Sequence, residues 1–164
     1  MTRITLVSRS AAQTRRLGER IGRALAPGDV VLLQGELGAG KTVLAQGIGR
    51  GLGVPSAIKS SSFVLVNEYQ GRLRLYHADL YRIEDPREVF DLALEETAAN
   101  GVLVLEWPER AWEELPPERL LVRLEYGDTP SERRIELIAE GARYEELLRR
   151  LRLRPTAPRS RSPS

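Results

Sequence analysis

The sequence predicts a single α/β domain, in which a mixed sheet with β-hairpins is flanked by helices. Short, almost wholly apolar runs are typical of strands buried on both faces, and they alternate with amphipathic helical stretches. Alternating apolar and polar positions around tight turns indicate hairpins. The 164 residues suffice for one domain with a real core but not for two. We therefore expect one domain over 1–151 and a tail over 152–164.

The first part of the domain is expected to form a helix, a buried strand and a second helix. The first helix begins at a capping box of Ser10 and Gln13. Its apolar face consists of Leu17, Ile21 and Ala24. Residues 29–35 follow as a buried strand, and residues 41–52 as a helix. Glycines in this second helix each cost about 1 kcal/mol relative to alanine, so packing or a ligand must stabilise it.

The second part is expected to mix hairpins with helices. In chain order we expect a hairpin over 63–80 with its turn at Gln70-Gly71, a helix from Asp85-Pro86 to about Ala99, a buried strand ending at Glu106, a hairpin whose turn spans Gly127 to Ser131, and an amphipathic helix ARYEELLRRLR. Because the hairpins interrupt the alternation of strands and helices, the fold is less regular than a doubly wound sheet.

Composition excludes several classes of protein. The chain contains no cysteine, which excludes disulfides and thiolate metal sites. No apolar run could span a bilayer and no leader pattern opens the chain, so we expect a cytoplasmic protein without membrane contact. The net charge of +2 does not indicate a dedicated nucleic-acid binder. Much of the positive excess lies in the tail, which is expected to be disordered and either contacts RNA or an acidic partner or is idle.

The segment from Gly35 to Thr42, GELGAGKT, matches the P-loop pattern G-x-x-x-x-G-K-[ST] without a mismatch. Its glycines allow backbone N–H groups to surround phosphate oxygens, and the following helix adds its positive dipole end. In this motif Lys41 reaches the β- and γ-phosphates and the hydroxyl of Thr42 ligates Mg²⁺. The position between a buried strand and a helix favours a P-loop NTPase-like domain over a glycine-rich turn without a ligand. Lys41 and Lys59 are the only lysines.

Such a domain needs a second metal-side carboxylate at the end of a neighbouring strand, and two residues qualify. Glu106 ends a buried strand and is favoured as the carboxylate on the metal, directly or through water. Asp79 ends the second strand of the first hairpin and is the candidate to position or deprotonate the attacking water. The alternatives are that Asp79 caps a turn and that Glu106 is an ordinary acid at the edge of the sheet.

Three further features have both a functional and a structural interpretation. His77, the only histidine, is a catalytic candidate, although a structural hydrogen bond near the hairpin explains it equally well. Trp107 could form a wall of the nucleotide pocket or pack in the core. The hydroxyls of Ser60, Ser61 and Ser62 suit a switch loop that senses the γ-phosphate, or a polar turn.

Four segments together resemble the bacterial TsaE (YjeE) family. They are GELGAGKT, KSSSFVLVNEY, YHADLYR and LEWPER, in the family's order and spacing over about residues 10–150. The resemblance implies a small P-loop ATPase needed to make threonylcarbamoyladenosine next to the anticodon of tRNA. The P-loop alone is generic, whereas the HxDLYR and EWPE segments in so short a chain are specific.

The resemblance also implies roles for individual residues. It places Thr42 and Glu106 on Mg²⁺, makes Asp79 important for hydrolysis and makes KSSSF a switch-like loop. The nucleotide contacts it implies are Glu36, Leu37, Gly38, Ala39, Gly40, Lys41, Thr42 and, among the hairpin arginines Arg133 and Arg134, above all Arg134. Where this chain has Ser61 the family usually has proline, so the details of switching are open.

The implied partners are the proteins TsaD and TsaB, through which tRNA is reached indirectly. The implied cofactors are ATP and Mg²⁺. The preference for ATP over GTP follows mainly from the resemblance, and the sequence contains no N-K-x-D motif of the kind that reads guanine. Two other functions remain open. A small P-loop kinase of a small-molecule or nucleoside acceptor would share the phosphate site, and a non-catalytic nucleotide-binding module would not depend on Asp79.

Overall fold

The computed structural model of the chain describes residues 2–55, 58 and 66–156, and within them seven strands share one sheet. The strands are β1 (Arg3–Ser8), β2 (Val30–Gly35), β3 (Val66–Tyr69), β4 (Arg74–Asp79), β5 (Gly101–Glu106), β6 (Arg119–Tyr126) and β7 (Arg133–Glu140). Their spatial order is β1-β7-β6-β2-β5-β4-β3. The central strands β6, β2, β5 and β4 run parallel, and the pairs at both edges are antiparallel. The predicted α/β class with a mixed sheet is confirmed.

Helices cover both faces of the sheet. They are α1 (Ala11–Ala24), α2 (Lys41–Gly51), α3 (Arg87–Asp91), α4 (Leu94–Ala98) and α5 (Ala142–Leu151), with two 3₁₀ turns at Pro108–Arg110 and Trp112–Glu114. Buried residues of α1, α2 and α5 form one apolar core with the sheet. Those of α3, α4 and the segment after β5 form a second core on the opposite face. In the part of the chain described, no helix combines the length and apolar character needed to cross a bilayer.

Two glycines of α2, Gly47 and Gly51, are explained by the packing of this helix against α1. A Cβ atom at Gly47 would lie 2.2 Å from the carbonyl oxygen of Arg15, and one at Gly22 would lie 2.3 Å from that of Ile48. The two helix backbones therefore touch at positions where no side chain fits. This close packing supplies the stabilisation that the sequence analysis requires for α2, and it fixes the helix that follows the P-loop.

The single helix expected from Asp85 to about Ala99 is wrong. The segment forms α3 and α4, separated by a break at Ala93, where φ is 47°. A continuous helix would place Val89 and Leu94 about 140° apart, because they are five positions apart. In the structure both side chains are buried in the same core. The break therefore allows both apolar side chains to face the sheet.

The sequence did not predict two segments at the edge of the sheet, which are β1 and residues 152–156. Strand β1 has no counterpart in the sequence analysis, and it pairs with β7 at the edge of the sheet. Residues 152–156, the described part of the expected tail, follow this edge. The N–H of Thr156 donates to the carbonyl of Thr5 at 3.0 Å, and its hydroxyl accepts from the N–H of Val7 at 3.0 Å. The rest of the expected tail and the first residues of the hairpin, 63–65, lie outside the described residues.

Candidate active site

The P-loop connects β2 to α2 at the carboxyl end of the parallel strands. Gly38 and Gly40 have φ values of 79° and 105°, a region that a side chain disfavours. The first helical hydrogen bond of α2 runs from the N–H of Leu44 to the carbonyl of Gly40 at 2.9 Å. The N–H groups of Lys41 and Thr42 therefore have no acceptor within the helix. This loop has the backbone form that binds phosphate oxygens.

Lys41 is buried, with 5% of its surface exposed. Its ammonium donates to the carbonyl of Gly35 and lies 3.5 Å from the centre of the Trp107 ring. Burial lowers the pKa of Lys41 below its ordinary value, and three nearby carboxylates offset part of this effect. The three are those of Glu106, Glu109 and Asp79. Within the described residues no carboxylate is within ion-pair distance of Lys41. The loop therefore holds a buried ammonium whose charge is incompletely compensated. Such a group is expected in a site that binds an anionic ligand.

Trp107 lines a cleft beside the P-loop. It directly follows β5 in a left-handed conformation, with φ of 62°. Its backbone N–H donates to the carbonyl of Leu33 of β2 at 3.3 Å, and its ring centre is 4.9 Å from that of Tyr81. The cleft has a volume of about 850 Å³, and its other lining residues include Glu36 and Leu37 of the P-loop. Trp107 thus borders the cleft and also packs against the second core, so its role as a wall of a nucleotide pocket stays a prediction.

Glu106 and Asp79 lie side by side at the same edge of the sheet. β4 and β5 pair in parallel with Asp79 opposite Glu106, and β2 places Leu33 opposite Glu106 on the other side. Glu106 is 3% exposed, and its Oε2 lies 2.6 Å from Nε2 of His77. His77 is also buried. The structure therefore gives the single histidine a definite contact, which is with the Glu106 carboxylate.

Asp79 makes the turn contact that one of the two interpretations requires, and its second oxygen leaves the other interpretation open. Its Oδ1 accepts a hydrogen bond from the N–H of Tyr81 at 2.9 Å, so it does cap the turn after β4. Its Oδ2 accepts no hydrogen bond from any described residue. Burial raises the pKa of Asp79 above its ordinary value and Glu106 raises it further, against the lowering effects of the Tyr81 N–H, His77 and Lys41. A carboxylate with a raised pKa and a free oxygen is suited to accept a proton.

The two residues expected on Mg²⁺ are Thr42 and Glu106. Thr42 occupies the second position of α2, and Glu106 ends β5, the strand adjacent to β2. The described residues contain no group of three His, Asp or Glu side chains that could hold a metal by themselves. Mg²⁺ in phosphate sites is commonly held by one or two protein oxygens together with phosphates and water. A hydroxyl and a carboxylate beside a phosphate-binding loop fit that donor set.

The second hairpin contacts the P-loop through Arg133 rather than Arg134. A guanidinium nitrogen of Arg133 donates to the carbonyl of Gly38 at 3.3 Å, and the group lies 4.6 Å from the ring centre of Tyr126. The Tyr126 hydroxyl donates to the carbonyl of Leu37 at 2.6 Å. The expected contact, Arg134, instead lies 3.8 Å from Glu125, because neighbouring residues of a strand face opposite sides of the sheet.

Some of the expected site residues are not described. The switch loop of Ser60, Ser61 and Ser62, and Lys59 before it, lie outside the described residues. Conversely, Tyr81 and Tyr126 were not identified from the sequence. Each is an aromatic residue near a strand end, and only the strand register reveals that they border the P-loop cleft.

Comparison with known proteins agrees with this arrangement. The family model described as "Threonylcarbamoyl adenosine biosynthesis protein TsaE" matches residues 8–135. A tRNA threonylcarbamoyladenosine biosynthesis protein TsaE of Treponema pallidum (strain Nichols) is 45% identical over 119 residues, which are 72% of this chain and 88% of the relative. The TsaE protein of Bacillus subtilis (strain 168) is 41% identical over 142 residues, 85% of this chain and 87% of the relative.

The fold is also found in a solved structure. The crystal structure of Bacillus subtilis YdiB superimposes with a TM-score of 0.71 at 35% identity, covering 92% of this chain and 94% of that one. Residues 8–135, which the family model matches, include the P-loop, the strands that carry His77, Asp79 and Glu106, and most of the second hairpin. The chain belongs to the TsaE family, whose members take part in the biosynthesis of threonylcarbamoyladenosine in tRNA.

Proposed function

We propose that the protein binds ATP with Mg²⁺ and hydrolyses it slowly, and that this cycle supports threonylcarbamoyl transfer to the adenosine next to the anticodon of tRNA. The partners in this proposal are TsaD and TsaB. The observation that carries it is the buried ammonium of Lys41, without a carboxylate partner in the described part of the chain, on a loop whose first helical N–H groups have no acceptor in the helix. A triphosphate would supply both the missing negative charge and the missing acceptors.

In this proposal each residue has one task. The P-loop N–H groups and Lys41 hold the β- and γ-phosphates, and the ammonium has two N–H donors besides the one directed at the carbonyl of Gly35. Thr42 and Glu106 would hold Mg²⁺, which neutralises charge that develops on the phosphates during transfer. Asp79 orients the attacking water through its free oxygen. The water oxygen bonds to the γ-phosphorus, the bond from phosphorus to the β–γ bridging oxygen breaks, and the water proton passes to Asp79.

The arrangement also supports a slow reaction in isolation. Among the described residues, Arg133 is the only arginine hydrogen-bonded to the P-loop, and its acceptor there is the carbonyl oxygen of Gly38. Stabilisation of the transferred phosphoryl group by an arginine is commonly worth a factor of about 10³ to 10⁵. A partner protein that supplies or re-aims such a group would accelerate turnover, which couples hydrolysis to assembly.

The direct test is tRNA threonylcarbamoylation over many turnovers, with purified TsaB and TsaD, threonylcarbamoyl-adenylate and ATP. The reaction is run with this protein, without it, and with Lys41→Ala in its place. We expect sustained modification only with the intact P-loop. Equal modification in all three reactions would contradict the proposal, provided that the protein is folded and binds ATP. Transfer of the γ-phosphate to a small acceptor would instead favour the kinase alternative, for which the 850 Å³ cleft beside the loop offers room.

Two variants separate binding from hydrolysis. Asp79→Ala is expected to retain ATP affinity and lose turnover, because its carboxylate acts on water rather than on the nucleotide. Lys41→Ala is expected to weaken ATP binding. Normal hydrolysis by Asp79→Ala would show that the role given to Asp79 is wrong and would leave a nucleotide-binding module.

A further inference from the structure

A second cleft lies between α1 and the segment that follows α5. The chain turns at Arg152, where φ is 49°, and then follows the edge of β1 as far as Thr156. The cleft has a volume of about 570 Å³ and shares no lining residue with the cleft beside the P-loop. The C-terminal segment thus forms a second site-sized depression on the molecule, separate from the nucleotide site.

The polar lining of this arginine cleft is strongly basic. Arg16 and Arg20 of α1 form one side, Arg152 and Arg154 form the other, and none of the described residues that line it is acidic. Arg20 donates to the carbonyl of Leu151, which is the last residue of α5. Within the described residues, none of the other three arginines has a carboxylate within ion-pair distance.

The rest of α1 is balanced differently. Elsewhere along the same helix, Glu19 lies 3.6 Å from Arg23 and 3.7 Å from Arg50 of α2. Arg23 and Arg50 therefore have a carboxylate partner. The arginines of the cleft repel one another, and no carboxylate of the described residues lies within ion-pair distance to offset this repulsion. Uncompensated like charges around one depression raise the local concentration of anions and favour an anionic ligand.

The C-terminal segment fixes this arrangement and extends it. Leu153 packs against the core, while Arg152 and Arg154 on either side of it are exposed. From Leu147 to Thr156 the chain has no acidic residue. The cations thus form a row along a helix and an extended segment, which fits a polymer of phosphates better than a single anion.

We infer that the arginine cleft binds the phosphate backbone of RNA. Guanidinium groups pair with phosphate in a bidentate geometry and remain charged at every physiological pH. Contacts to a phosphate backbone alone give binding that is insensitive to sequence and strongly dependent on salt. Such binding is independent of nucleotide hydrolysis at the P-loop and goes beyond the proposed ATPase cycle by giving the protein its own contact with RNA.

The test is fluorescence anisotropy of labelled total tRNA, with the full chain, over a range of salt concentrations. The variant is Arg16→Ala/Arg154→Ala, because both side chains are exposed and Arg20, which binds α5, is left intact. The control is Arg23→Ala/Arg50→Ala, which removes the same charge from two arginines that pair with Glu19 and do not line the cleft. We expect the first variant to bind about tenfold more weakly or worse, with a log Kd against log salt slope lower by about 2. The control should lose much less.

Unchanged tRNA affinity in Arg16→Ala/Arg154→Ala, with unfolding temperature intact, would overturn the inference. So would an equal loss in the control, since overall charge alone would then explain binding. Binding of the wild type to phosphatidylserine vesicles but not to tRNA would assign the cleft to lipid headgroups and overturn it as well. ATP hydrolysis measured on the same samples separates this inference from the proposed function, because tRNA binding that depends on Arg16 would stand even if no hydrolysis occurred.

Discussion

Two buried carboxylates, one at the amino end and one at the carboxyl end of two neighbouring parallel strands, have different hydrogen-bond partners. Asp29, just before β2, accepts hydrogen bonds from the N–H of Ala26 at 2.7 Å and from two nitrogens of Arg143 at 3.1 and 2.8 Å. Glu106, at the end of β5, is equally buried, but its one hydrogen-bond partner among the described residues is His77. One carboxylate is fully paired, and the other keeps free acceptor capacity.

The difference separates structural charge from charge available for chemistry. A buried carboxylate is costly unless it is paired, so complete pairing at Asp29 indicates a contact that holds α5 against the start of β2. Incomplete pairing at Glu106, beside a buried lysine that also lacks a carboxylate partner within the described residues, is expected where a ligand completes the set. We therefore expect the carboxyl end of the sheet to be less stable without a ligand than the amino end.

The largest effect should come from Glu106→Gln. We expect ATP turnover to fall about a hundredfold or more, because a neutral amide ligates a divalent cation poorly in a site that stabilises developing charge. The unfolding temperature of the ligand-free protein should not fall, since the substitution removes an incompletely paired buried charge. Phosphate release at saturating ATP and thermal unfolding measure the two effects.

The matched control at the other end of the sheet is Asp29→Asn. It should lower the unfolding temperature, because Arg143 loses its ionised partner, and leave turnover per folded molecule unchanged. If both variants lost stability and neither lost turnover, the distinction between the two carboxylates would be false.

The second prediction concerns the structural end. Arg143→Ala should lower the free energy of unfolding by about 2 to 3 kcal/mol, below the value for a fully buried pair because the Arg143 side chain is 30% exposed. For a domain of this size this corresponds to roughly 7 °C in Tm. Arg150→Ala is the control. Both side chains of the pair that Arg150 forms with Glu146 are exposed, so this pair should contribute less than about 0.5 kcal/mol. Equal losses in the two variants would remove the special status of the Asp29 pair.

The third prediction tests whether His77 positions Glu106. In His77→Ala the apparent Mg²⁺ affinity of the ATPase should weaken about tenfold, as for loss of an outer partner of a metal ligand. His77→Gln, which keeps a donor, should recover part of this loss. Mg²⁺ titrations of phosphate release measure the effect, and thermal unfolding reports the structural cost separately. An unchanged Mg²⁺ dependence in the folded His77→Ala variant would show that His77 only fills space.

These residues also show how far the sequence alone could go. Lys41 lies in a motif, and Glu106 lies at the end of an apolar run, so local pattern sufficed to select both. The contact between His77 and Glu106 depends on the register of β4 against β5, which local pattern does not contain. The choice between Arg133 and Arg134 depends in the same way on which face of β7 meets the P-loop.

The same distinction between local pattern and contacts distant in sequence applies to the elements of the fold. The two hairpins and α5 have strong local signals, and their described parts lie where expected. The break at Ala93 lacks a signal such as glycine or proline, because it results from the burial of side chains on both sides of it. Likewise β1 is a short strand at the edge whose place is set by pairing with β7 rather than by a distinctive pattern.

The smallest predicted effect is the pH dependence caused by Asp79, which lies opposite Glu106 and near His77 and Lys41. Burial raises the pKa of Asp79 in the folded protein, so the folded state binds its proton more tightly than the unfolded state does. The stabilisation from this residue is therefore fully present below the ordinary aspartate pKa and is lost as pH rises through the raised value. Asp79→Asn keeps an acceptor for the N–H of Tyr81 and cannot ionise, so the Tm of the variant relative to wild type should increase by a few degrees at most between about pH 4 and pH 7. A difference in Tm that is constant over this range would show that the carboxyl edge carries no excess cost of buried charge, and the contrast with Asp29 would then rest on hydrogen bonding alone.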